Sequence, residues 1–282
     1  MWIDSILPYR NILVVTLGIL GLLGCTPIQK KSAPSQENPK KSPPTAIDPD
    51  ATPPFHGTIF LSGEILTSLD PTAYTGLTEA GRETRTMYDR RATDWVKENA
   101  FLFQATYDDG LRIEVQVNPE FESQEEAKIV AQTYAEVIGR LPTSLRKDVE
   151  TVWIHKGVNP FGGGNNNLLI HTGQAALYIK DGILEETLIH EAAHTSLDAD
   201  HAKSAGWQAA QKADPRFIST YARDNRVRED IAESYLPYFA IRYRPNRISE
   251  SLRETIRKTI PNRIQYFDRL KWKMHPVKKE GE

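Results

Sequence analysis

The chain has 282 residues, with 35 basic against 37 acidic and a formal net charge of −2. An apolar share of 39% beside 26% charged residues excludes a polytopic membrane protein and a fully disordered chain. The balanced charge offers nucleic acid no basic excess, and a single cysteine, Cys25, excludes an intramolecular disulfide or a multi-cysteine metal site.

Residues 12–23 are nearly all apolar. The run is shorter than the about 20 residues a spanning helix needs, and has the length of an export signal's hydrophobic region. It ends in Leu22-Leu23-Gly24-Cys25, which resembles the lipobox of bacterial lipoproteins. That resemblance implies a signal peptide over residues 1–24, cleavage before Cys25 and a lipid on the Cys25 thiol. It implies an exported protein anchored by lipid in the bacterial cell envelope. Thr26 is not the aspartate associated with inner-membrane retention, so an outer-membrane address is expected where the cell has two membranes. Residues 25–54 are rich in proline, lysine and serine and poor in large apolar side chains. Such a stretch cannot bury enough surface to offset its ordering entropy, and reads as a semi-extended tether.

Residues 55–282 form the expected domain. Phe55 to Leu61 reads as a short strand, and Thr78 to Asn99 as a polar surface helix. Phe101, Phe103, Ala105 and Tyr107 alternate, Asp108-Asp109-Gly110 turns the chain, and Leu111, Ile113, Val115 and Val117 alternate again, which predicts a β-hairpin. Ser123 to Leu141 predicts a helix with Ser123 and Glu126 as a capping box and Pro142 beyond its end. Val149 to His155 reads as a strand, Gly162 to Asn167 as a loop, and Leu168 to His171 and Ala176 to Ile179 as two short strands. From Leu184 onward the pattern is helical. Strands in the first half and helices in the second predict an α+β fold.

The chemistry concentrates in His190-Glu191-Ala192-Ala193-His194. Leu184, Leu188, Ile189 and Ala192 give a helical apolar stripe, so the two histidines lie one turn apart on one face. Two imidazoles at that spacing bind one zinc ion, and Glu191 lies beside them to take a proton from water. A catalytic zinc needs a third protein ligand. A return of the chain after a glycine at position 197 to a histidine at 200 is not available, because those positions are Leu197 and Asp200. Asp200 and His201 remain candidates, but Glu229 is the better one. Glu229 and Glu233 are four apart on the face of a helix striped by Ile231, Tyr235 and Phe239. Two carboxylates so placed repel each other unless a cation lies near. Zinc on Glu229, with Glu233 accepting a hydrogen bond from a ligating histidine, accounts for both. Pro237 should kink or end this helix after its ligand face. His155 and His171, on strands, read as packed residues rather than ligands.

The string Ile218-Ser219-Thr220-Tyr221-Ala222-Arg223-Asp224-Asn225, followed by Glu229 to Glu233, Pro261 and Phe267, resembles the catalytic domain of anthrax lethal factor and its relatives, the gluzincin-type zinc metallopeptidases. The resemblance covers about residues 184–270. It implies a zincin-like domain, with a small twisted sheet, an active-site helix carrying the histidines and a mostly helical C-terminal half. It implies zinc on His190, His194 and Glu229, Glu191 as general base, Tyr221 steadying the oxyanion, and Glu233 supporting a ligand. The spacing from Tyr221 to Glu229 is one residue longer than in that family.

The function expected is an exported, lipid-anchored zinc metallopeptidase holding one zinc per chain. It would act on a peptide or protein and meet the membrane only through its N-terminal lipid, with no nucleic-acid partner. In zincins an edge strand holds the substrate backbone, and Leu168 to His171 or Ala176 to Ile179 would serve. Two other functions fit the same residues: a surface binding protein with a structural or vestigial zinc, and a zinc amidase acting on a cell-wall amide.

Overall fold

The computed structural model of the chain describes residues 51–280. The expected signal peptide, Cys25 and the tether up to residue 50 lie outside the described residues. Among those described, no helix is long and apolar enough to cross a membrane.

The fold is α+β, around one mixed six-stranded sheet in the order β1-β2-β3-β4-β6-β5. Strands β1 (Tyr74–Asp89), β2 (Asp94–Tyr107) and β3 (Arg112–Val117) form an antiparallel meander. Strand β4 (Thr151–His155) is parallel to both β3 and β6 (Asn167–His171), and β5 (Gly162–Gly164) runs antiparallel at the edge. The pleat places Phe103, Val115, Val152 and Leu168 on one face, and this row of pairs is the centre of the core. The other face carries a smaller cluster of Met87, Ala100 and Leu102 against Trp153. Helix α1 (Gln124–Gly139) packs on the core face, its N-terminus capped by the Ser123 hydroxyl accepting from the Glu126 amide at 3.1 Å. After the short α2 (Thr143–Arg146) and α3 (Thr172–Lys180) comes the central helix α4 (Leu184–Leu197). It lies against α7 (Asp230–Tyr243) and is followed by α5 (Ala205–Ala213) and α6 (Thr220–Asp224). Helices α8 (Glu250–Thr259) and α9 (Pro261–Asp268) complete the fold.

Four local expectations are corrected and a fifth is narrowed. Residues 78–99 are not a helix but most of the long ribbon β1–β2. Threonines, Tyr88, Trp95 and Val96 favour the extended chain, while solvent on both sides of β1 erases the alternation that would announce it. Ala176 to Ile179 belongs to α3, a run of good helix formers (Gln174-Ala175-Ala176-Leu177). Phe55 to Leu61 joins no sheet beyond one parallel bridge between Phe55 and Ser219. It is a strap whose amides are held largely by side chains of the helical half. The glycine run is not all loop: Gly162–Gly164 is β5, and Asn165 and Asn166, with φ of 51° and 57°, make the two-residue hairpin turn into β6. Of the two outcomes expected at Pro237, an end is excluded, because α7 continues through it to Tyr243.

Candidate metal centre

Helix α4 carries Glu186, His190 and His194 at successive turns of one face, all buried. Helix α7 meets that face with Glu229 at its N-cap and Glu233 one turn on. The His194 Nε2 atom is 3.1 Å from His190 Nε2 and 3.0 Å from Glu229 Oε2, and His190 Nε2 is 3.4 Å from the same oxygen. Three ligand-type atoms thus converge in a buried place, a group able to hold a metal ion. In a tetrahedral site with bonds of about 2.1 Å, ligand atoms stand about 3.4 Å apart, so the three lie within 0.4 Å of that spacing. Two imidazoles and a carboxylate pressed together need a shared cation, a proton or a metal. Burial opposes charge on both histidines, yet hydrogen bonding to Glu229, and for His194 also to Asp198, raises both above the ordinary imidazole value. Burial works against Glu229 as well, but the same two histidines hold it far below the usual carboxylate range.

Each of these three side chains has an outer partner that orients it. The His194 Nδ1 atom is 2.8 Å from Asp198 Oδ2. Asp198 opens a single π-helical turn, Asp198–Ala202, into which α4 widens. The His190 Nδ1 atom stands 3.5 Å from Glu233 Oε1, an ion-pair contact longer than a good hydrogen bond. The other Glu233 oxygen accepts from the Ser219 hydroxyl and from the Ile59 amide at 3.1 Å. Burial pushes the Glu233 carboxyl up to about 7. On Glu229 the oxygen turned away from the histidines lies 3.0 Å from Arg228 Nε. The start of α7 is pinned by the fully buried Arg263, which donates to Asp230 and to Asp214, each at 2.9 Å.

Glu191, beside His190 on α4, is half-exposed, and its charge acts on both histidines. Tyr221, in α6, lies within electrostatic reach of Glu229. Burial, then the negative charge of Glu229, pushes its hydroxyl up to about 12, so it is a donor at neutral pH. Strand β5 lies against α4 at this point. A Cβ on Gly163 would fall 1.9 Å from the Glu191 carbonyl oxygen, so only glycine permits this approach. The Thr195 hydroxyl ties the two elements, accepting from the Gly164 amide at 2.8 Å and donating to the Asn167 carbonyl at 2.8 Å.

The alternative third ligands are elsewhere. Asp200 is 69% exposed and 4.0 Å from Lys147, and His201 Nδ1 is 2.8 Å from the Tyr266 hydroxyl. His155 and His171 are buried on β4 and β6, away from the group. Three residues escaped the sequence reading. Asp198 was open to inference as the i+4 neighbour of His194. Arg228 and Glu186 have no such local signal. Both Glu186 oxygens accept amides of the strap, from Leu61 at 2.8 Å and Ser62 at 2.9 Å, and burial pushes this carboxyl up to about 7. No protein-family model, curated protein or solved structure matches the chain.

Proposed function

We propose that the chain is a zinc metallopeptidase of the gluzincin type on a zincin-like domain, exported and anchored by a lipid on Cys25. The observation that carries this reading is the buried group of His190, His194 and Glu229 with Glu191, half-exposed, beside His190 on α4. A donor set of two imidazoles and one carboxylate suits zinc, and leaves room for water in a fourth position. Zinc, when bound, supplies the positive charge that acidifies water and polarises a carbonyl. Glu191 takes the proton of the attacking water and passes it to the leaving amide nitrogen, so that the C–N bond breaks to a free amine and a carboxylate. Tyr221 donates its hydroxyl to the carbonyl oxygen as negative charge grows there. Asp198, Arg228 and Glu233 keep the ligands oriented.

The strand that receives the substrate backbone is neither of those expected. Strand β6 is enclosed by β4 and β5, and residues 176–179 are helical. The free edge beside α4 is β5, three glycines with no side chains to obstruct an added strand.

The test is a peptide-library digest by the full chain, with and without chelator, together with metal analysis. Glu191→Gln should keep one zinc per chain and lose at least about 100-fold in rate, within the range general bases supply. Full activity in zinc-loaded Glu191→Gln overturns the role of Glu191. A tightly held zinc with no hydrolysis of any peptide favours a structural site, and release of products from cell-wall amides alone favours an amidase.

A further inference from the structure

Between α5 and the turn that leads into α7 lies an open groove of about 460 Å³. Lys212, Arg216 and Arg226 line it, all exposed, with Gln208, Gln211 and Val227 between them. Among the described residues none of these three cations has an acidic partner in ion-pair contact. The acid in the groove wall, Asp214, is already consumed. It accepts from the Asn262 amide at 2.6 Å and side chain at 2.9 Å, and from the Arg263 amide at 3.1 Å and guanidinium at 2.9 Å. The surplus is local: of the charged residues that line the groove, Lys212, Arg216 and Arg226 are basic and Asp214 is acidic, in a chain whose net charge is −2.

We propose that this groove binds an acidic peptide segment. Arginine and lysine clusters recognise carboxylates by charge and by hydrogen bonds. The Gln208 side chain and the Oε1 acceptor of Gln211, whose N–H groups are spent within the protein, supply partners for a peptide backbone, and Val227, 63% exposed, supplies apolar contact. Nucleic acid fits less well. The aromatic ring in the groove, Phe217, is buried beneath Arg226 and Arg263, with centroid distances of 5.8 and 4.8 Å, and offers no face for a base to stack on.

The groove is rigidly joined to the candidate metal centre. Gln211 donates to the Arg226 carbonyl at 3.2 Å and to Asp230 at 2.9 Å, and Val227 is two residues from Glu229. Resting on the peptidase reading, the acidic segment is a part of the substrate held away from the bond that is cut. Such binding steers encounter and selects among substrates.

The experiment measures anisotropy of a fluorescein-labelled decapeptide carrying four glutamates, and of its glutamine counterpart, with the full chain both zinc-loaded and chelator-stripped. The acidic peptide should bind at least tenfold tighter than its counterpart in both states, and weaken with salt. Lys212→Gln and Arg226→Gln should each reduce that affinity several-fold, while Lys258→Gln, on α8, should not. Equal affinity for the two peptides overturns the proposal. So does an equal loss in all three variants, or tighter binding of a single-stranded 12-mer DNA than of the acidic peptide. Binding in the stripped protein is read without catalysis, so failure of the peptidase reading leaves a separate signature: acidic-peptide binding with no hydrolysis.

Discussion

The protein buries two pairs of histidines, and they are opposites. His190 and His194 meet edge to face with ring centroids 4.8 Å apart, and Glu229 faces both. His155 and His171 are cross-strand partners in register, their rings stacked 5.4 Å apart. In the second pair Asn118 Nδ2 donates to His155 Nδ1 at 3.1 Å, an orientation fixed because Asn118 Oδ1 accepts the Glu120 amide at 3.0 Å. His171 Nδ1 donates to the Lys156 carbonyl at 3.0 Å. Asp89 is the nearest acid to His155, 3.8 Å away and already bound by Arg91. Burial therefore dominates, and pushes His155 down to about 4 and His171 down as well. Two imidazoles in a dry interior become neutral. A carboxylate sharing their space turns the same pair into a holder of positive charge, proton or metal.

The comparison breaks first at Glu229. Glu229→Gln should lose zinc by more than the roughly 10–100-fold that loss of an outer partner costs. His171→Gln should keep one zinc per chain by metal analysis after dialysis. Retained zinc in Glu229→Gln would make the two pairs equivalent.

The second test is pH. His155 titrates near 4 in the folded protein and near 6.5 unfolded, so between those values the unfolded chain binds more protons. Stability from this site is present above pH 6.5 and is lost as pH falls through that window, by up to ~3 kcal/mol. Histidines of raised pKa act in reverse. In metal-free protein the stability from His190 and His194 is present below pH 6.5 and is lost as pH rises through their folded values. Urea unfolding of chelator-stripped protein should show a His155→Gln variant losing less stability on acidification than the parent. Equal slopes would sink this account. The smallest effect belongs to Asp198. Asp198→Ala should weaken zinc binding by ~10–100-fold, and Asp198→Asn, which still accepts from His194 Nδ1, by less. A metal-competition titration that ranks Asn below Ala would contradict an orienting role.

The parts legible in sequence are those with local causes. His190 and His194 needed only helical periodicity, Ser123 only its cap, and Phe101 to Val117 only alternation about Asp108-Asp109-Gly110. Glu229 was approachable because Glu233 made a carboxylate pair that wanted a cation. What stayed hidden depends on distant chain. The ribbon over 78–99 has a two-sided polar strand in β1, which shows no period of two. Gly163 is explained only by the Glu191 carbonyl pressed against it. The strap over 55–62 reads as a strand, yet its backbone bends at Gly57, φ 73°, and its partners come from residues 218–220, Glu233 and Glu186.

That strap gives the molecule a mechanical property. Its bonds run in series from the N-terminal side: Arg216 holds the Thr52 carbonyl, Phe55 pairs with Ile218 and Thr220, and Gly57 donates to the Thr220 hydroxyl. Ile59 then reaches Glu233, and Leu61 and Ser62 reach Glu186. A pull on the chain ahead of Thr52 loads these attachments in order. The fourth link to give way is the one that holds the carboxylate facing His190. The strap acts as a buckle: once its fourth link opens, the Ser219 hydroxyl is left as the remaining donor to the far oxygen of Glu233.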